Sequence, residues 1–400
     1  MGDILFLAHR IPYPPDRGDK IRGYHILRHL ARRKRVHLVA LADESRDLKH
    51  KGGLDRLIAS KAIFWRGKPR WFALLQALAR RLPVSITAFE HRGVAQAVET
   101  LLAERAIDLI YVFSGQMAQY IPARHPARVI MDFVDMDSAK FEAYGQGWGP
   151  SAAMMRREAG LLFSHERSIA ARANASLFVS EAEAALFRDR AHAERVHVVE
   201  NGIDTAFFDP AGAFKRIETM GRLLVFTGQM DYRPNVEAVC WFAESVLPHL
   251  RLSHPDVRFA IVGRAPSEPV RALAKLPGVL VTGEVPDVRG WLAAASVSVA
   301  PLKLARGIQN KVLEAMAMAR PLVASPAAAE GIDHGDTIRV AATVAEMSAA
   351  IGGLLDHPAE AAALGARARA RVIERYGWDA RLAALDALIA RPRAERRSAA

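Results

Sequence analysis

The densest concentration of chemically useful residues lies between Ala305 and Ser325, in the run ARGIQNKVLEAMAMARPLVAS. Gly307 precedes a stretch with helical periodicity that starts near Ile308, and a new apolar run begins at Leu322. A glycine at the mouth of a helix lets an anion approach the free backbone N–H groups, and the helix dipole favours negative charge there. Lys311, in the first turns, adds a point charge. Glu314, about one turn further on, could accept hydrogen bonds from a ribose diol. The same spacing suits an ordinary strand–helix–strand unit with a solvated Lys and Glu, and residue types alone leave both readings open.

Other candidate groups lie in the first half. His9 to Arg22 reads HRIPYPPDRGDKIR, a basic, Pro-stiffened loop that leaves one apolar run and enters a helix opened by Gly18. His9, Arg17, Asp19 and Lys20 there suit an anionic ligand, although His9 could equally be a satisfied loop histidine. The segment Val134-Asp135-Met136-Asp137-Ser138 offers Asp135 or Asp137 to orient a hydroxyl or receive a proton. Asp137 or Ser138 could instead cap the following helix. Ser114-Gly115-Gln116 is a weaker candidate. Ile261 to Arg264 is a strand–Gly turn ending in a cation that either meets a ligand or lies on the surface. No His/Cys cluster has metal-ligand spacing.

The elements that must position these groups alternate. Short Val-, Ile- and Leu-rich runs at Ile4–Ala8, Val36–Ala40, Leu109–Phe113, Val129–Phe133, Leu177–Val179 and Val196–Val199 are separated by helical patterns. A second series follows at Leu223–Phe226, Arg258–Val262, Val279–Thr282, Val297–Ala300 and Leu322–Ala324. Continuous apolar runs suit strands buried on both faces of a parallel sheet. The class is therefore α/β, with two Rossmann-like, doubly wound parallel-sheet domains. The division places a first domain at residues 1–203, a second at 204–375, a terminal helix within 376–390 returning toward the first domain, and a basic, disordered tail at 391–400. Ligands of such sheets bind at the strands' carboxyl ends. Two domains facing across a cleft would bring those ends together.

Composition narrows the partners. Lys and Arg number 55 against 43 Asp and Glu, a net charge of +12, with runs at Arg32–Arg35, Arg66–Arg70 and Arg391–Arg397. That balance points to anionic partners, but no helix-turn-helix or aromatic-basic array speaks for nucleic acid. One cysteine, Cys240, in a context that reads as a buried helix face, excludes an internal disulfide and suits a reducing compartment. The opening run DILFLAHR reads as a strand rather than a signal peptide, and no apolar stretch reaches about 18 residues. A cytoplasmic protein is expected, peripheral on the inner face of the plasma membrane through its basic clusters.

With these residues in view, the chain resembles the retaining GT-B glycosyltransferases of group 1, also called family four. The Ala305–Ser325 run is similar to that family's donor loop, in which two glutamates are separated by seven residues. Glu314 matches the second, which the family uses to hold the nucleotide ribose; Arg306 stands where the first should be and hints at an acidic sugar or a phosphate contact. VVENGIDTAFFDP at Val198–Pro210 resembles the interdomain linker. LVFTGQMDYRP at Leu224–Pro234 resembles the first donor strand, with Gly228 beside the diphosphate and Arg233 as nearest cation. By the same resemblance Gly307, Ile308, Lys311 and Arg264 join the donor set, and the loop around Val285 reads the nucleobase. Asp135, Asp137 and Arg306 are then the catalytic candidates, Asp135-Met136-Asp137 has no metal role, and neither metal nor cofactor is needed. The first-domain segments look like the sugar transferases associated with the PEP-CTERM/exosortase system. The resemblance implies transfer of a sugar from a nucleoside-diphosphate sugar to a glycan or lipid-linked acceptor, in exopolysaccharide or cell-surface polysaccharide synthesis. A non-catalytic assembly subunit and a sugar-nucleotide epimerase are the alternatives on the same fold.

Overall fold

The computed structural model describes residues 2–15, 18–49, 51–219, 221–304 and 308–390. Arg17, Arg306, Gly307 and the tail 391–400, all singled out above, lie outside the described residues. The chain forms two compact units, Met1–Asn201 with Arg381–Ala400, and Gly202–Ala380.

The first unit is built on seven parallel strands: β1 (Asp3–Ala8), β2 (Val36–Ala42), β3 (Ser60–Trp65), β4 (Ile107–Phe113), β5 (Arg128–Val134), β6 (Ala175–Phe178) and β7 (Val196–Val198). Their order is β3-β2-β1-β4-β5-β6-β7, so the winding direction reverses between β1 and β4. The central strands are buried because helices cover both faces. Leu5, Leu7, Val39, Ile110, Val112 and Met131 meet in the resulting core. The edge strand β3 is only half-buried and carries polar residues at its start. It therefore lacks the continuous apolar run that marks the others, and the sequence reading missed it.

The second unit has six parallel strands: β8 (Leu223–Thr227), β9 (Arg258–Val262), β10 (Val279–Gly283), β11 (Val297–Ala300), β12 (Leu322–Ala324) and β13 (Arg339–Val340), ordered β10-β9-β8-β11-β12-β13. Its reversal falls between β8 and β11. The two-residue, exposed β13 was also missed. The helix after β11 spans Asn310–Ala317, two residues later than the periodicity suggested, because Gln309 is extended and takes the N-cap position. The terminal helix Trp378–Ala390 contributes Arg381 onward to the first unit. There Asp386 Oδ1 lies 2.7 Å from His29 Nε2, and Arg128 donates to the carbonyl of Ile389 at 3.0 Å. Among the described residues, no helix is long and apolar enough to cross a membrane.

Candidate functional site

In the second unit the loops leaving β8, β9, β10 and β11 surround a cavity of about 480 Å³ at the reversal point. This is where open α/β sheets bind ligands, since neighbouring loops diverge there and leave a crevice. Six of the residues expected to hold a donor line it: Gly228, Arg264, Val285, Ile308, Lys311 and Glu314.

Two glycines make the cavity floor. At Gly263, with φ of 150°, a Cβ would lie 1.7 Å from the Gly228 carbonyl oxygen. The Gly228 N–H in turn donates to the Val262 carbonyl at 3.0 Å. Only glycine permits backbones to pass at that separation. A Cβ at Gly228 would lie 2.8 Å from the Asn235 amide nitrogen, so this glycine makes room for that side chain.

Lys311 Nζ donates to Asn235 Oδ1 at 2.7 Å, and Asn235 Nδ2 donates to the Gln229 carbonyl at 2.9 Å. The ammonium also sits 5.0 Å from the Phe226 ring centroid. Burial lowers the Lys311 pKa to about 8, with the neighbouring Glu314 carboxylate opposing the fall. Burial likewise raises Glu314 to about 7, opposed by Lys311. Both groups are strained toward neutrality by desolvation, which a ligand bringing hydroxyl donors and negative charge would relieve. Arg264 donates through Nη2 to Gln229 Oε1 at 2.9 Å and keeps an exposed guanidinium at the rim.

Arg233 does not join this set. Its side chain is 89% exposed and pairs with Glu237, one turn along the helix Arg233–Trp241. The side chain that helix sends to the cavity is Asn235, 4% exposed, which the sequence reading missed.

In the first unit, the loops after β1, β4 and β5 carry His9, Gln116, Asp135 and Asp137. His9 is 9% exposed, stacks on Phe113 and points Nε2 at Asp19 Oδ2, 3.3 Å away. Its Nδ1 is buried and has no hydrogen-bond partner among the described residues. Arg10 bridges Asp19 and Asp43 at 2.7 Å each. Burial would raise the Asp19 pKa, but hydrogen bonds from His9 and Arg10 outweigh it and hold the carboxyl well below its usual range. Asp137 starts the helix Asp137–Tyr144 and accepts from Gln116 Nε2 at 3.1 Å. Neither Asp137 nor Ser138 caps that helix: the N-cap is Met136, and Ser138 Oγ instead donates to Glu166 at 2.5 Å. Burial raises the pKa of Asp137, and burial together with the charges of Glu183 and Asp137 raises that of Asp135, although Asp135 keeps solvent contact. Val134 at φ 71° and Ser114 at φ 78° flank this cluster, a left-handed backbone that costs about 1–3 kcal/mol at each non-glycine position.

Lys20 corrects the picture of an open cationic loop. Its Nζ lies 2.6 Å from Asp47 Oδ1, and both side chains are fully buried. A charge consumed by a carboxylate in the interior has no field left for a phosphate. Arg22, which carried no expected role, is equally committed. It forms a two-pronged pair with Asp132 at 3.0 and 3.1 Å, and donates to the Val199 carbonyl and to Asn201 Oδ1. Tyr111 donates its hydroxyl to the same Asp132 at 2.7 Å. Gly18 opens the helix Gly18–Ala31 with open space around its α-carbon.

With both sites described, comparison with known proteins is informative. Residues 221–357, which contain most of the second unit and all of its described cavity, match the family model for glycosyl transferases group 1. The chain is 30% identical over 198 residues to the MMP alpha-(1->4)-mannosyltransferase of Mycolicibacterium hassiacum, covering 46% of each chain. It is 32% identical over 188 residues to the phosphatidyl-myo-inositol mannosyltransferase of Mycolicibacterium smegmatis, covering 45% of this chain and 48% of that one. The alignments thus span about half the length of these curated relatives. In fold, the chain is similar to Anabaena HepE, solved with UDP and glucose, at a TM-score of 0.63 and 15% identity over 97% of this chain and 99% of the other. WaaG, a glycosyltransferase involved in lipopolysaccharide biosynthesis, gives 0.63 and 14% over 97% and 100%. The two parallel-sheet α/β domains are those of the GT-B glycosyltransferase fold.

Proposed function

We propose that the protein is a glycosyltransferase that takes a sugar from a nucleoside-diphosphate sugar and passes it to a glycan or lipid-linked acceptor. The observation that carries this reading is the desolvated pair Lys311 and Glu314 in a cavity at the reversal point of the second sheet, inside the segment that matches group 1 glycosyl transferases. Lys311 and the N-terminus of the helix Asn310–Ala317 stabilise the diphosphate as negative charge grows on the leaving group. Glu314 accepts from the ribose hydroxyls, and the backbone around Val285 reads the base. HepE was solved with UDP, which makes UDP the first nucleotide to try.

The transfer proceeds with retention, the acceptor hydroxyl attacking from the face the phosphate leaves, while the diphosphate takes its proton. Asp135 and Asp137 orient the acceptor on the first unit, and no metal takes part. The acceptor belongs to exopolysaccharide or cell-surface polysaccharide assembly of the kind that accompanies PEP-CTERM/exosortase systems. The basic surface of the first unit holds the cytoplasmic protein peripherally against an anionic inner membrane where lipid-linked acceptors reside.

Thermal unfolding with UDP, GDP, ADP and dTDP, with and without magnesium, tests the reading. A nucleotide at 100 times its dissociation constant adds about 2.7 kcal/mol. The expected result is a metal-independent shift with one nucleotide that disappears in Glu314→Ala. No shift with any nucleotide would displace the transferase reading in favour of a subunit that keeps the fold without the chemistry.

A further inference from the structure

The helix Arg70–Arg80 is inside out. It has the sequence RWFALLQALAR and follows Pro69, whose extended conformation turns the chain into the first turn. On a surface helix the apolar arc ordinarily faces the core. Here the residues facing the protein are the small Ala73 and Ala77, both fully buried. Polar groups secure the same inner side: Lys68 Nζ donates to Gln76 Oε1 at 2.9 Å, and Arg80 donates to Glu90 Oε1 at 2.9 Å. The large side chains point outward. Trp71 is 64% exposed, Phe72 43%, Leu75 56% and Leu78 44%.

These four positions fall on one arc when successive residues are set about 100° apart. Such a continuous apolar patch on a folded unit marks a contact surface. Its flanks indicate what it contacts. Arg70 and Arg81, at the two ends of the helix, are both exposed. Trp65, at the end of β3, is a further exposed aromatic, 47% accessible. Indole and phenyl rings with leucines on one face and arginines at its margins match the boundary between lipid headgroups and acyl chains, where rings sit at carbonyl depth and cations meet phosphate. A helix of 11 residues, about 16 Å long, can lie in that plane but cannot span it.

We propose that the helix Arg70–Arg80 is an interfacial membrane anchor that lays Trp71, Phe72, Leu75 and Leu78 into an anionic bilayer. The inference deepens the membrane contact of the proposed function, yet requires no sugar transfer, so the two fail separately. Nucleotide-induced stabilisation without vesicle binding removes the anchor and keeps the transferase; vesicle binding without nucleotide recognition does the reverse.

The test is co-sedimentation of the full chain with phosphatidylcholine vesicles with and without phosphatidylglycerol, together with tryptophan emission. The wild type binds the anionic vesicles, and its emission shifts to the blue. Trp71→Phe keeps binding and loses most of that shift, which assigns the probe among the 6 tryptophans. Trp71→Ser combined with Leu75→Glu weakens binding at least tenfold while leaving the melting temperature unchanged, because both side chains are exposed. Replacing Arg70 and Arg81 with Ala costs roughly fivefold each at low salt. Unaltered vesicle binding in the double variant, or an emission shift that survives Trp71→Phe, overturns the proposal. So does a concentration-dependent dimer, seen by light scattering without lipid and abolished by the double variant, which would make the patch an interface between copies of the chain.

Discussion

The two units carry charged residues at comparable places, on the loops and first helical turns beyond the carboxyl ends of their strands, and use them in opposite ways. In the first unit the conspicuous charges neutralise one another: Lys20 with Asp47, Arg22 with Asp132, Arg10 with Asp19 and Asp43. In the second, Lys311 and Glu314 are desolvated and displaced from their ordinary pKa values. A charge paired in the interior is architecture; a charge held in a cavity against its own solvation is a site prepared for something else. Sequence motifs rich in Arg, Lys and Asp do not separate these cases. The geometry does.

The contrast predicts a graded series of effects. Asp132→Ala has the largest, because it leaves the buried Arg22 guanidinium without its carboxylate; about 3–5 kcal/mol of first-unit stability should be lost, read by chemical denaturation. Gly263→Ala comes next. Its Cβ is forced against the Gly228 carbonyl at a left-handed φ, so about 2–3 kcal/mol of stability and measurable nucleotide binding should both disappear.

Glu314→Gln sharpens the comparison further. The folded-state pKa of Glu314 is raised, so the protonated form is favoured on folding. That stabilisation is full below its unfolded value of about 4.5 and is lost as pH rises through about 7. The non-ionising glutamine should therefore stabilise the nucleotide-free protein by up to about 3 kcal/mol at pH 8 and by less than about 1 kcal/mol at pH 5, while weakening nucleotide binding. In the wild type, nucleotide affinity should peak between about pH 7 and about pH 8, where Glu314 and Lys311 are both charged. Arg233→Ala should have the smallest effect, leaving the melting temperature and nucleotide binding unchanged, because its side chain is exposed, pairs with Glu237 and is not among the described residues that line the cavity.

What could be read from the sequence follows from where each signal is stored. Gly228, Arg264 and Val285 each stand two or three residues after an apolar run, and Lys311 lies in the first turn of the helix that follows another, so recognising parallel strands was enough to place them at one end of one sheet. Asn235 escaped because a buried amide that orients a lysine leaves no local pattern. The first-unit pairs escaped for a different reason. Lys20 and Asp47 stand 27 positions apart, Arg22 and Asp132 110 apart, and nothing in either segment announces its partner. Edge strands β3 and β13 were missed because exposure removes the apolar continuity by which their neighbours were recognised.

The central claim, that Lys311 and Glu314 of the second unit await a ligand while Arg10, Lys20 and Arg22 of the first are spent on carboxylates, is tested most directly by titrating UDP calorimetrically into three proteins, with the other nucleotides following if UDP is silent. These are the wild type, Lys311→Met and Lys20→Met. The account predicts binding in the wild type, loss of at least tenfold in Lys311→Met with little loss of stability, and unchanged affinity in Lys20→Met despite a lower melting temperature. Equal losses of affinity in both variants, or no nucleotide binding in the wild type, would contradict it.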